Sequence, residues 1–395
     1  MPSPRNLTEV GTAFLRLGLV SFGGPVAHLG YFQREFVERR RWLDDTAYAD
    51  LVALCQFLPG PASSQVAFAL GMRRAGVPGA VLASACFALP SAVAMILFAY
   101  GVATLGDVSS AGWLHGLRLA AAAVVAIAVW RMSVSLCPDW PRRILAACAA
   151  AAVLLAPGTL SQVGAIAACA ALGLLGRRDA SNPAGPGGAL GRTHAWAAAA
   201  LVVFGLLLVL LPIAARASGD KNLAVVDGFY RAGSLVFGGG HVVLPLLRSE
   251  VVPRGWVDEG SFIAGYGAAQ ALPGPLFTFA GYLGTLIHGG ARAWAGGLLA
   301  LFAIFLPGWL LVGGALPFWH LLRGAAWARG LLRGANAAVV GLLLAALYRP
   351  LCTEGIESPS DLVACVLAVA LMGPLRVPPW AVVALMAAAG QWVLR

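Results

Sequence analysis

Gln56-Phe57-Leu58-Pro59-Gly60-Pro61 sits inside an apolar run, and Gln270-Ala271-Leu272-Pro273-Gly274-Pro275 repeats it 214 residues later. Each proline removes a backbone donor and clashes with the preceding turn, so neither motif suits a continuous helix. The pattern predicts two half-helices meeting at a break. Pro61 and Pro275 suit the first position of the second half-helix, where the missing N–H would be orphaned anyway.

The likeness extends outward from these motifs. Phe14, Arg16, Gly18, Phe22, Gly23 and Gly24 recur 215 residues on as Phe229, Arg231, Gly233, Phe237, Gly238 and Gly239. Glu35 is matched by Glu250, and Trp42-x-Asp44 by Trp256-x-Asp258. An ordered set of Gly, Pro, Arg, Gln and Trp marks an internal duplication. Residues 1–176 read as the first repeat and 222–395 as the second. Between them, 177–221 hold a Gly/Pro-rich linker and one connecting helix.

Composition sets the class. Of 395 residues, 59% are hydrophobic and 11% charged, and mean hydropathy is +0.81. Soluble domains carry about 25% charged residues, so soluble, disordered and disulfide-stapled classes fall away. The apolar segments are single runs rather than the ~10-residue alternating strands of a barrel. The chain therefore reads as an all-α polytopic membrane protein of about 13 segments, six per half plus the connecting helix. Four segments are short, in the pairs 143–156/160–176 and 361–373/377–394, and whether they span fully is open. No cleavable signal peptide is visible, since the first apolar run carries Arg16.

Parity predicts orientation. With an even number of crossings per half and one helix between, the second half enters from the opposite face, giving an inverted repeat of the kind found in secondary transporters. The net charge of +10 comes from basic residues in short loops, the positive-inside pattern rather than a nucleic-acid surface. The richer face places the N-terminus in the cytoplasm and the C-terminus outside. The seven Cys lack metal-ligand spacing and read as small buried hydrophobes, so no metal or cofactor is expected.

The repeated residues form an anion-friendly set. Amides after Pro59-Gly60-Pro61 and Pro273-Gly274-Pro275 point unpaired N–H groups, with a partial positive charge, into each break. Ser63, Ser64 and Thr278 add hydroxyls, and Gln56 and Gln270 precede each break by three residues. Gly23 and Gly24, like Gly238, Gly239 and Gly240, end or kink the first helix of each half and permit close approach. Arg16 and Arg231 are costly inside a membrane helix and match an oxyanion bidentately. The plainer alternative is snorkelling or local pairing, which Asp227 offers Arg231. His241 is a candidate ligand and His28 a coupling candidate, although each also reads as a satisfied polar residue at a helix end. Glu35 and Glu250 are coupling candidates too, with interfacial ion pairing the favoured reading.

Phe22–His28, the FGGGH…P element at Phe237–Pro245 and the doubled Gln-x-Leu-Pro-Gly-Pro resemble the chromate ion transporter family in its long two-domain form. The resemblance spans residues 8–290 and implies chemiosmotic chromate export conferring resistance, with sulfate as the isosteric competitor, across a bacterial inner membrane. Lipid is then a partner, nucleic acid is not, and homo-oligomerisation stays open. An importer or exchanger of another anion such as sulfate is the rival. A membrane-embedded enzyme is remote, because no catalytic or nucleotide-binding motif is present.

Overall fold

The computed structural model describes residues 4–104, 112–175, 192–237, 240–319, 325–353 and 355–392. The described residues form helices, turns and loops, with no strand among them. This all-α architecture, with several helices apolar enough to span lipid, is that of a polytopic membrane protein.

The first half opens with two hairpins. Helix α1 (Pro4–Val20) runs inward and stops at Ser21–Gly23. The chain turns back through α2 (Gly24–Phe32) and a π-helical stretch, Gln33–Arg39. The returning strand of chain packs on α1 through Phe14, whose ring lies 4.8 Å from Phe36 and 5.8 Å from Phe32. Helix α3 (Asp45–Phe57), capped by the Asp44 side chain, then leads inward to Pro59-Gly60-Pro61. Helix α4 (Ala62–Thr104) is interrupted at Ala75 and Gly76, where the backbone leaves helical geometry. Its first arm returns to the starting end. Glu9 of α1 accepts from Arg40 at 3.1 Å, from Trp42 at 3.1 Å and from Arg74 at 2.6 Å. Residues 9, 40, 42 and 74 therefore share one end of the molecule, so both hairpins enter and leave there. Only the second arm of α4 runs through to the opposite end.

Helix α5 (Gly112–Leu136) returns, and α6 (Trp140–Leu155) with α7 (Thr159–Leu174) forms a short pair. Helix α8 (Arg192–Ser218) connects the halves. It is exposed along Val202, Leu206, Val209 and Ile213 and is held by the Tyr230 hydroxyl donating to the Phe204 carbonyl.

The second half repeats the design from the other end. Helix α9 (Lys221–Ser234) runs inward, and α10 (Val243–Val251) returns beside it. Helix α11 (Glu259–Ala271) runs in to Pro273-Gly274-Pro275. A 3-10 turn (Leu276–Thr278) and α12 (Phe279–His288) come back. The end of α12 meets the start of α9, with Lys221 Nζ donating to the Ile287 carbonyl at 2.6 Å. Helices α13 (Ala293–Ala315) and α14 (Ala326–Ala346) follow, then the pair α15 (Pro359–Met372) and α16 (Pro379–Trp392). Near the far end of α4, the Tyr100 hydroxyl donates to Ala291 and accepts from Trp294 N–H. The second half therefore enters where the first half's long helix finishes, which makes the repeats inverted.

Among the described residues, five helices qualify as spans by length and composition: α4, α5, α8, α13 with its extension to Phe318, and α14 with its extension to Arg349. The apolar runs at 8–29 and 48–71 turn back at Gly and Pro instead of crossing. Hydropathy registers apolar length, not direction, which is why a segment count near thirteen overstates crossings. Two fold-back segments per half leave the parity even, so the inversion survives. Glycine lets helices close on one another, as expected where lipid supplies no hydrophobic drive between them. Gly71 faces Gly79 and Ala83, Gly284 faces Gly296 and Ala300, and Gly173 faces Gly330 and Gly334.

Candidate functional site

The half-helices end at breaks inside the bundle, where Ser21, Gly60 and Val236 are buried, and the ends interlock. At the first Pro-Gly-Pro break Gly60 adopts φ 125°, and at the second Gly274 adopts φ 95°, values that favour glycine. The Gly60 N–H donates to the Val236 carbonyl at 2.7 Å, and the Gly274 N–H donates to the Ser21 carbonyl at 2.9 Å. Val236 and Ser21 lie at the first break of the opposite repeat. Gly240 closes the set: a Cβ there would stand 3.5 Å from Pro25 and 3.8 Å from Leu276. Gly23 and Gly24 supply the turn after α1, at φ 99° and 76°. Gly238 and Gly239 lie outside the described residues.

Helix α4 begins one residue after Pro61, and its first capping bond is Gln65 N–H to the Pro61 carbonyl at 2.9 Å. A helix start of this kind leaves its leading amides without intrahelical partners. Ser63 and Ser64 line this first turn, 3% and 2% exposed. Gln65, 1% exposed, donates its amide to the Pro59 carbonyl at 2.7 Å. The hydroxyl of Ser64 and the Oε1 of Gln65 have no partner, and neither do the Ser21 hydroxyl and His28 Nδ1. Buried polar atoms without partners are costly, so this cluster offers hydrogen-bonding capacity beside the breaks. His28 is 1% exposed, its Nε2 lies 3.1 Å from the Ser21 carbonyl, and its ring stands edge-on to Phe87.

The second repeat satisfies its polar groups locally. Thr278 turns its hydroxyl back onto the Pro275 carbonyl at 2.9 Å rather than into the break. Its first turn is the 3-10 stretch at Leu276, with Pro275 as N-cap. His241 Nδ1 meets the Tyr266 hydroxyl at 2.8 Å, with Gln270 Nε2 at 3.5 Å. Pro273 is half-buried beside them. Gln56, the counterpart of Gln270, is exposed.

The two arginines differ in the same way. Arg231 ion-pairs with Asp227, the local pairing open to it from the sequence, and lies 3.6 Å from Glu250. Glu250, 2% exposed, also accepts from Arg254 at 3.0 Å and from Thr159 at 2.9 Å. Its burial departs from the interfacial surface pairing that the sequence favours. Arg16 is exposed on α1, flanked by exposed Leu15 and Leu19, contrary to an interior-facing orientation. The residue matching Asp227 is Thr12, so no acid stands one turn before Arg16. Glu35 sits in the half-buried cluster at the first end, accepting from Arg39 at 2.9 Å and Arg40 at 2.6 Å.

Sequence reasoning passed over Gln65, Tyr266 and a matched proline pair. Pro90 in the second arm of α4 and Pro307 in α13 lie 217 residues apart, inside matched long helices. Beside them Gly18 lies against the Phe87 carbonyl and Gly233 against that of Ile304. The shift in offset from 214 to 217 follows a longer turn before α13 and hides the pair from a fixed-offset search.

A sequence model described as chromate transporter matches residues 8–174 and 223–391, leaving out little beyond the linker and α8. The chain belongs to the chromate transporter family. A chromate transport protein of Pseudomonas aeruginosa is 31% identical over 326 residues, 78% of this chain and 72% of that one. A probable chromate transport protein of Synechococcus elongatus is 26% identical over 349 residues, 87% and 84% of the two chains. A chromate transport protein of Cupriavidus metallidurans is 26% identical over 371 residues, 91% and 86%. No solved structure matches the chain. Both matched parts of this chromate transporter family member contain a Pro-Gly-Pro break and one end of each mutual joint.

Proposed function

We propose that the chain exports chromate across a bacterial inner membrane, with sulfate as its isosteric competitor, and so confers chromate resistance. The observation that carries this reading is the junction of four chain breaks inside the bundle, two of them Pro-Gly-Pro. A tetrahedral dianion offers oxygens to N–H, hydroxyl and guanidinium donors, and helix starts present such donors with a favourable dipole. Ser64, the leading amides of α4 and the exposed Gln56 provide hydrogen-bond donors on the first-repeat side. The repeats, residues 1–176 and 222–395, act as a pair around this junction.

The greater share of basic residues in the loops of one face supports an N-terminus in the cytoplasm and a C-terminus outside. A dianion leaving a negative interior gains ~2.3 kcal/mol per charge per 100 mV, so outward movement is electrically favourable. Counterflow of labelled chromate and sulfate in proteoliposomes, with and without an imposed potential, tests this. Chromate exchange that sulfate inhibits, together with net chromate efflux accelerated by a potential negative on the cytoplasmic side, supports it. Sulfate exchange without chromate exchange replaces it with a sulfate carrier.

A further inference from the structure

The two repeats hold matched elements in unmatched surroundings. In the second repeat α11 lies along α5: a Cβ at Gly267 would stand 2.7 Å from the Leu117 carbonyl oxygen, and Ile263 is 2% exposed. Their counterparts 214 residues earlier are Ala53 and Ala49 of α3, and both are exposed. The counterpart of α5 is α14, where Ala122-Ala123-Val124-Val125 recurs 215 residues on as Ala337-Ala338-Val339-Val340 and Leu117 as Leu332. Leu117 is buried and Leu332 is half-exposed. Two further pairs follow the same rule. Gln270 is held beside His241 and Tyr266, whereas Gln56 is exposed; Arg231 is enclosed by Asp227 and Glu250, whereas Arg16 is exposed.

We infer that the repeats exchange these arrangements during transport: α3 packs onto α14 through Ala49 and Ala53 while α11 leaves α5. Access to the junction then passes from the end bearing the N-terminus to the opposite end. Inverted repeats of one backbone design have two packings related by their pseudo-two-fold axis, and the structure displays the closed packing in one repeat and the open packing in the other. The small side chains of Ala49 and Ala53 permit the approach. Ala53 carries a methyl where Gly267 has none, so the α3–α14 packing is the looser of the two. That difference favours the arrangement described here at rest.

The inference rests on the chain being a transporter and not on chromate being its cargo. Its test uses full-length protein in proteoliposomes with the seven cysteines replaced and Ala53→Cys, Leu332→Cys and Ile263→Cys introduced. Cross-linking the first two thiols should raise maleimide labelling of Ile263→Cys at least tenfold and halt anion exchange. Reduction should reverse both. Unchanged labelling in the cross-linked protein overturns the inference, as does failure to cross-link at either sign of potential and saturating sulfate. If the cysteine-free chain does not fold, Gly267→Leu in the native chain gives a second reading by hydrogen–deuterium exchange. Amides of α11 should lose protection while those of α3 gain it; unchanged α3 protection overturns the inference. These readouts need no chromate flux. A carrier of another anion would still show them, and a chromate carrier lacking them would defeat this inference alone.

Discussion

The backbone N–H of Gly60 donates to the carbonyl of Val236 at 2.7 Å, and Gly274 does the same to Ser21 at 2.9 Å. Each Pro-Gly-Pro break is thus joined to the first break of the opposite repeat. The two joints are related by the duplication, since Gly60 and Gly274 are counterparts and so are Ser21 and Val236. This reciprocity places four chain interruptions together inside the bundle, where irregular backbone is tolerated only when protein or a water-filled cavity surrounds it.

Gly60→Ala and Gly274→Ala should each weaken the fold and abolish transport. Both glycines hold φ values that side chains rarely adopt. The added Cβ would stand 2.7 Å from Gln65 Nε2 and 2.8 Å from Ser91 Oγ respectively. Strain of this kind costs roughly 1–3 kcal/mol. Thermal unfolding of purified protein and anion counterflow measure the two effects; wild-type values in both would mean the joints tolerate a side chain.

The arginines should separate by phenotype. Arg231→Gln leaves Asp227 and Glu250 without their shared cation. It should destabilise by roughly 3 kcal/mol, the low end for breaking a buried pair, because 20% of the Arg231 side chain is exposed. Adding Asp227→Asn should recover part of that loss. Arg16→Gln should leave both unfolding and exchange unchanged, because Arg16 is exposed on α1 beside exposed Leu15 and Leu19. Loss of exchange in Arg16→Gln would instead bring that side chain onto the anion path.

Gln65→Leu should reduce sulfate binding, measured by titration calorimetry, with a stability loss of about 1–3 kcal/mol from the unpaired Pro59 carbonyl. Ser64→Ala should reduce binding at little cost in stability, because its hydroxyl has no partner to lose. Equal affinity in both variants would move the anion away from the start of α4.

Reporter fusions at residue 185 and at the C-terminus should fall on opposite membrane faces. The start of α8 lies at the first end, where Trp196 neighbours Gly313 and Met72. The end of α16 lies at the other, where Gly390 meets Gly112. Signals from one face alone would contradict the inversion.

The duplication, the helical class and the two Pro-Gly-Pro interruptions were readable from residue identity, because proline and glycine act locally and each acts twice. Re-entry at 8–29 and 48–71 was not readable. It depends on Glu9 drawing Arg40, Trp42 and Arg74 to one end, a contact no hydropathy window registers. The pairing of Arg231 was signalled by Asp227 one turn earlier. The exposure of Arg16 was not, since it depends on which helices happen to cover α1. Gln65 escaped notice because Phe279 occupies the matching position, so a search for repeated residues discards it.

The cross-repeat joints use peptide groups alone, so as long as Gly60 and Gly274 are kept, changes in the surrounding side chains leave both donors and both acceptors in place. Evolutionary drift can therefore diversify the two halves while their seam is inherited unchanged. A gene severed within codons 176–191 would yield two polypeptides that each still carry one donor and one acceptor for the other.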